Sequence, residues 1–156
     1  PNDVGIVDLF IYDPKGKRLV ASMAGDGFVV PEAEIVAQTR TGRQVLNVKG
    51  DVKALLAHRV IGDHVACVGE NRKVLVFALN ELPEMGRGKG VRLQKYKDGG
   101  LSDATTFAMQ EGLSWKDPAE RTRTVEEAEL LEWVGKRASA GRMAPRGFPR
   151  HNRFTK

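Results

Sequence analysis

Apolar residues along this chain fall in short runs, mostly of about four to seven residues, broken by Gly, Asp and Asn. The runs are Val4-Gly5-Ile6-Val7-Asp8-Leu9-Phe10-Ile11-Tyr12, Leu19-Val20-Ala21-Ser22-Met23, Phe28-Val29-Val30, Val65-Ala66-Cys67-Val68 and Val74-Leu75-Val76-Phe77-Ala78-Leu79. They are rich in β-branched and aromatic residues and too short for helices, so they predict strands. Turn signals lie between them at Asp13-Pro14-Lys15-Gly16, Ala24-Gly25-Asp26-Gly27, Gly69-Glu70-Asn71-Arg72 and Lys97-Asp98-Gly99-Gly100. The first and third of these sit between two apolar runs, as a β-hairpin requires. The expected class is all-β.

The pattern repeats. Val20-Ala21-Ser22-Met23, Gly25-Asp26-Gly27, Phe28-Val29-Val30 and Pro31-Glu32-Ala33-Glu34-Ile35 lead to Arg40-Thr41-Gly42-Arg43 and Val45-Leu46-Asn47-Val48. The same order returns from Val65 through Asn80-Glu81-Leu82-Pro83 to Arg87-Gly88-Lys89-Gly90 and Val91-Arg92-Leu93. A more worn copy runs from Phe107-Ala108-Met109 and Gln110-Glu111-Gly112 to Glu127-Ala128-Glu129-Leu130-Leu131 and Ala140-Gly141-Arg142-Met143. A Glu-apolar pair marks the copies at Glu34, Glu81 and Glu129, spaced 47 and 48 residues, and a glycine follows each at Gly42, Gly90 and Gly141. A period of ~40–50 residues with several short strands per unit predicts propeller-like blades, because one blade cannot bury both its faces alone. Blades over residues 1–135 with a basic segment, 136–156, completing the last of them is the expected organisation; the helix-compatible stretch 126–131 reads as linker. About three blades make an arc, since closed propellers use ~4–8. With a first residue, Pro1, that is not Met, this predicts part of a larger ring.

Composition sharpens the picture where charge is concerned. The 156 residues carry 25 Lys+Arg and 20 Asp+Glu, a net +5, but the distribution is polarised. Residues 136–156 hold seven bases and no acid, and residues 72–97 hold seven bases against Glu81 and Glu84, whereas residues 98–135 hold nine acids and three bases. Segregated charge predicts one face for a polyanion and another turned away from it. Cations follow the repeat landmark in each copy, Arg40 and Arg43, then Arg87, Lys89, Arg92 and Lys95, then Lys136, Arg137 and Arg142, and Arg72, Lys73 and Arg146 complete the expected DNA-binding set. Stacked blades align them along one rim, a track that duplex DNA, with a phosphate charge every ~1.7 Å, can follow through counterion release. Aromatics are only 6% of the chain, which disfavours stacking on unpaired bases.

Other chemistry finds little support. Gly86-Arg87-Gly88-Lys89-Gly90 fails as a P-loop, because Pro83 stands at the first glycine position and Gly90 where a hydroxyl must reach magnesium. It also fails as a dinucleotide fingerprint, because Val91 replaces the third glycine. What remains is a cationic turn able to approach a phosphate closely. His58, His64 and His151 have no metal-ligand spacing; Ser22, Ser102, Ser114 and Ser139 lack a nucleophile elbow or base. Cys67, the single cysteine, lies in an apolar run and excludes an intramolecular disulfide. No run reaches the ~18 residues of a membrane span and no signal peptide opens the chain, so a reduced, cytosolic setting is expected.

On Gly25-Asp26-Gly27-Phe28-Val29-Val30-Pro31, Thr41-Gly42-Arg43-Gln44-Val45-Leu46-Asn47-Val48, Val74 to Pro83 and Gly86 to Val91, the chain resembles the family of C-terminal domains found in the A subunits of bacterial DNA topoisomerase IV and gyrase. The tail, Val134-Gly135-Lys136-Arg137 and Gly141-Arg142, also fits. The likeness is clear over residues 17–97 and looser beyond. It implies a β-pinwheel, a propeller-like ring of strand-exchanged blades whose basic edge binds and bends duplex DNA. Such a domain is non-catalytic and presents DNA to a type II topoisomerase core for decatenation and supercoil relaxation, in a cytoplasmic, nucleoid-associated enzyme. Its partners would be the rest of a dimeric A subunit and the separate ATPase-bearing B subunit; ATP and magnesium would bind elsewhere, and neither Tyr12 nor Tyr96 is the cleaving tyrosine. The gyrase-type Gln-Arg-Arg-Gly-Gly-Lys-Gly box is not intact at Gly86–Gly90, which favours the topoisomerase IV branch. A propeller-like protein-interaction scaffold is the rival, distinguished by salt-insensitive association with a protein and no DNA shift.

Overall fold

The computed structural model describes residues 15–35, 54–86, 88–97 and 99–154. Two hairpins anchor it. Strands β1 (Lys17–Ser22) and β2 (Asp26–Pro31) pair antiparallel with Val20 opposite Phe28; β4 (His64–Gly69) and β5 (Lys73–Ala78) pair with Cys67 opposite Leu75. The hairpins are offset by 47 residues at both ends. Their turns are held alike, Gly25 N–H to Ser22 O at 3.0 Å and Arg72 N–H to Gly69 O at 2.9 Å.

Each hairpin gains an antiparallel strand on its first member: β3 (Ala54–Arg59) beside β1, and β7 (Leu101–Phe107) beside β4. Each also gains a two-residue strand on its second member, drawn from the following repeat. Strand β6 (Val91–Arg92), downstream of the second hairpin, returns to pair with β2. Strand β10 (Arg142–Met143), downstream of a third hairpin, returns to β5. The sheets are therefore β3-β1-β2-β6 and β10-β5-β4-β7. The third hairpin is β8 (Leu113–Lys116) with β9 (Thr122–Val125). Three repeats and strand exchange thus appear as expected, within an all-β architecture.

Two expectations are corrected. Phe107 does not open the third copy; it ends β7, the edge strand of blade two, and the third hairpin begins at Leu113. The reason is that Leu101-Ser102-Asp103-Ala104-Thr105-Thr106-Phe107 is too polar to register as an apolar run. Nor is 126–131 linker. Helix α1 (Glu127–Leu130) stands where the second copy has a 3-10 turn, Leu79–Glu81, and the first a helical turn over 32–35. The expected strands within 1–14 and 45–48 lie outside the described residues.

Blade two is buried on both faces. Val65, Cys67, Leu75 and Phe77 meet Leu19, Ala21 and Val29 of blade one, while Ala66, Val68, Val74 and Val76 meet Leu113, Trp115, Val125, Leu130, Phe148 and Phe154. Adjacent residues of a strand point to opposite faces, so two-sided burial requires apolar residues at every position. That is why β4 and β5 read as unbroken apolar runs. Fully burying a side chain such as Phe77 contributes ~1.5–3 kcal/mol.

Candidate nucleic-acid interface

The exchanged strands set up the site. Strands β3 and β7 approach one another, and β6 and β10 occupy the opposite edges of their sheets. The crossing strands therefore lie on the edges opposite that contact. Both pair at the hairpin-turn end of their blade: Val91 opposes Gly27 and Arg142 opposes Val74. The bonds that fix them are equivalent, Leu93 N–H to Gly25 O at 2.7 Å and Ala144 N–H to Arg72 O at 2.8 Å. A second pair of anchors brackets Val29 (Pro83 O, Met85 N–H) and Val76 (Trp133 O, Gly135 N–H).

The two landmark glycines explain themselves here. Gly90 and Gly141 both have φ of 82°. A Cβ on Gly90 would lie 2.2 Å from Gly27 O, and one on Gly141 2.4 Å from Val74 O. The chain crosses the preceding blade so closely that only glycine fits. The glycine-rich Gly86–Gly90 turn is thus the approach to a strand crossing.

Cations gather on these crossings. Lys89, Arg92, Lys95 and Lys97 stand exposed around β6, and Lys136, Arg142 and Arg146 around β10. The Lys89 ammonium is 3.8 Å from Asp26 and still 60% exposed. The side chains of Arg92, Lys95, Lys136, Arg142 and Arg146 have no ion-pair partner among the described residues. Successive crossings also bond to each other, Ala138 N–H to Leu93 O and Lys95 N–H to Ser139 O, both at 2.9 Å. The buried Gln94 amide donates to Lys73 O at 2.9 Å and to Ala140 O at 3.0 Å, tying both crossings to β5. Exposed acids cluster around the helical turns: Glu34, Glu81, Glu111, Glu126, Glu127, Glu129 and Glu132.

Not every predicted cation faces outward. Arg72 turns its guanidinium onto Phe148 O, Pro149 O and the Asn152 side chain at 2.8–3.1 Å. Arg137 donates to Arg92 O at 2.7 Å, and its own N–H to Glu81 at 2.9 Å. Lys73 is half-buried at the start of β5. Arg40, Arg43 and Arg87 lie outside the described residues. Lys97, Arg150 and Arg153, which belong to the two basic clusters of the sequence but not to the expected contact set, are exposed as well.

Among the described residues no group of three His, Cys, Asp or Glu side chains could hold a metal, and no helix is long and apolar enough to cross a membrane. Cys67 is fully buried, and that burial pushes its thiol above the usual range. Burial likewise raises the Tyr96 hydroxyl, whose ring wedges between the Gly25 and Gly69 turns. Asp63 is held below the usual carboxylate range by its hydrogen bond with His64, helped by the Met109 N–H.

Hairpin blades that each receive their outer strand from the next repeat define a strand-exchanged, propeller-like domain with one cationic edge. The family model described as DNA gyrase C-terminal domain, beta-propeller matches residues 19–57 and 63–101, half of the chain, and the chain belongs to that family. The two matched segments each begin near the first strand of one of the two hairpins, as a repeat should. Similar relatives include the A subunit of DNA topoisomerase 4 from Caulobacter vibrioides, 47% identical over 151 residues and 97% of this chain. The protein of that name from Rickettsia bellii is 42% identical over 98% of this chain, and that from Pseudomonas aeruginosa 28% over 91%. The chain spans 20–21% of the length of these relatives. Among solved structures, the E. coli ParC C-terminal domain superposes with a TM-score of 0.75 at 23% identity, covering 90% of this chain and 60% of that one. The DNA gyrase A C-terminal domain gives 0.60 at 14% identity, covering 83% and 43%. These two structures speak to the fold.

Proposed function

We propose that this chain is a non-catalytic, duplex-DNA-binding and DNA-bending domain of a topoisomerase IV A subunit. It holds a DNA segment for the type II core, which the remainder of a dimeric A subunit and its B-subunit partner supply, together with their sites for ATP and magnesium. The carrying observation is that two consecutive strand crossings, on the same edge and at the same end of their blades, both present unpaired Lys and Arg. A cationic edge with no exposed Phe, Tyr or Trp among the described residues suits phosphate contacts, which position a duplex and say little of its sequence. The site comprises Lys89, Arg92, Lys95, Lys136, Arg142 and Arg146, with Arg40, Arg43 and Arg87 carried from the repeat; the Arg72 guanidinium is engaged within the fold.

The test is a salt titration of duplex binding by the parent and by a Lys89→Glu, Arg92→Glu, Lys95→Glu variant. The variant is expected to bind more weakly to every sequence, with a log–log salt slope shallower by about 0.9 per lost phosphate contact. Superposition of the two titrations would refute the edge assignment. Salt-insensitive binding to a protein partner with no duplex binding would favour a scaffold instead.

A further inference from the structure

Residues 144–154, which carry Arg146, Arg150 and Arg153, are folded. Directly after β10 the chain makes two successive four-residue turns, Pro145-Arg146-Gly147-Phe148 and Pro149-Arg150-His151-Asn152, each closed by an N–H···O bond of 3.1 Å from its last residue to its proline carbonyl. Gly147 has φ of 87°, the left-handed value that the third position of a type II turn requires. Each turn therefore puts an arginine at its second, outward corner, and both Arg146 and Arg150 are exposed. Arg153 follows, also exposed.

The same segment is pinned from within. Phe148 and Phe154 are buried beside Trp115, with ring centroids 5.3 and 5.4 Å apart in edge-to-face sequence. The Arg72 guanidinium sits 5.8 Å from the Phe148 ring centre and donates to the carbonyls of Phe148 and Pro149 and to Asn152. Ser102 donates to Asn152 O at 2.8 Å, and the buried Asp103 carboxylate accepts the Phe154 N–H at 2.8 Å. The polar anchors belong to β7 and to the β4–β5 turn, at the end of blade two where β10 enters.

We propose that residues 144–154 form a preformed phosphate-contacting strap that prolongs the cationic edge past β10. Arg146, Arg150 and Arg153 are the contacts; Arg72 is a positioning residue that aims them. This rests on the duplex-binding reading above and adds to it Arg150, Arg153 and the inward role of Arg72. The physical advantage is that the arginines' backbone is ordered before the polyanion arrives, so little further ordering opposes binding. A solvated tail carrying the same charges would lose that freedom on contact.

The experiment uses the whole 156-residue chain and a random-sequence duplex, read by anisotropy across a salt series. Arg146→Ala with Arg150→Ala removes two exposed corner charges; it is expected to keep the parent's urea midpoint while the log–log slope falls by about 1.8. Arg72→Met keeps every strap charge but frees the strap; it is expected to weaken duplex binding several-fold and to speed tryptic cleavage after Arg146 and Arg150. If the double-alanine titration overlays the parent, the strap makes no contact and the proposal fails. If the parent itself does not bind duplex, the underlying reading fails while the proteolysis arm still reports on the strap. Should Arg72→Met lose cooperative unfolding, the double-alanine variant decides alone.

Discussion

Three glycines with nearly the same backbone angle allow the strand exchange to be tested apart from ordinary backbone strain. Gly90, Gly141 and Gly147 have φ of 82°, 82° and 87°. An alanine at any of them incurs the left-handed penalty of about 1–2 kcal/mol. Beyond that the sites differ. At Gly147 an added Cβ meets nothing within 4 Å, whereas at Gly90 and Gly141 it lands 2.2 and 2.4 Å from a backbone carbonyl oxygen of the preceding blade. A carbonyl inside a sheet cannot swing away, so the crossing strand must lift. Lifting β6 breaks its pairing at Asp26 and Gly27 and the Leu93 N–H···Gly25 O bond. At about 1 kcal/mol net per hydrogen bond, that adds ~2–3 kcal/mol. Gly90→Ala and Gly141→Ala should thus cost about 3–5 kcal/mol and Gly147→Ala about 1–2. Urea unfolding followed by circular dichroism measures the difference, and hydrogen exchange at the Leu93 and Ala144 amides shows where it arises. If all three variants agree within about 0.5 kcal/mol, the limit of such comparisons, close crossing does not hold the blades together.

Gln94→Leu should destabilise by about 1–3 kcal/mol, because it strips the donor from two part-buried carbonyls, Lys73 O and Ala140 O. Faster exchange at the Lys95 and Ala138 amides checks that the two crossings have separated. Asp117 predicts an acid limb: the Arg121 N–H, then the Arg123 side chain and Ala119 N–H, hold its carboxyl below the ordinary 3.8. The unfolded chain therefore takes up this proton first as pH falls, so the β8–β9 turn keeps its full stability above that ordinary value and loses it below. Amide exchange at Arg121 across the acid range follows this, and Asp117→Asn should flatten the profile; a parent profile already flat would exclude the mechanism.

Legibility in the sequence followed burial. Strands β4 and β5 could be read because blade two packs on both faces, leaving Val65 to Val68 and Val74 to Phe77 buried without a polar interruption. Strands β7, β8 and β9 could not, because polar residues interrupt them: Ser102 and Thr105 in β7, and Ser114 and Lys116 in β8, face partly or fully outward. The positions of Gly90 and Gly141 were visible as landmarks, but their cause, a carbonyl of another blade, exists only once the chain has crossed. For the same reason two-residue strands such as Val91–Arg92 carry no periodicity to detect. Arg72 marks the other limit. A charge count places it among outward cations, whereas the strap, 76–80 residues further on, draws its guanidinium inward.

Strand exchange has a consequence for any polyanion that follows this edge. The cations on the rim of blade one belong to the second repeat, and those on the rim of blade two to the third. Each crossing thus ties a blade's outer strand and its charge to the fold of the next repeat, and Gln94 ties consecutive crossings together. A continuous basic edge is then a product of connectivity as much as of composition: the same residues on self-contained blades could rotate apart. Under the proposed duplex-binding role, a segment lying along the β6 and β10 edges, opposite the β3–β7 contact, would curve. Bending 20–30 base pairs by 40–90° costs about 1–6 kcal/mol. On the same proposal, cations held on two crossings and along residues 144–154 would offset that cost, since little of their attraction is lost to ordering the protein.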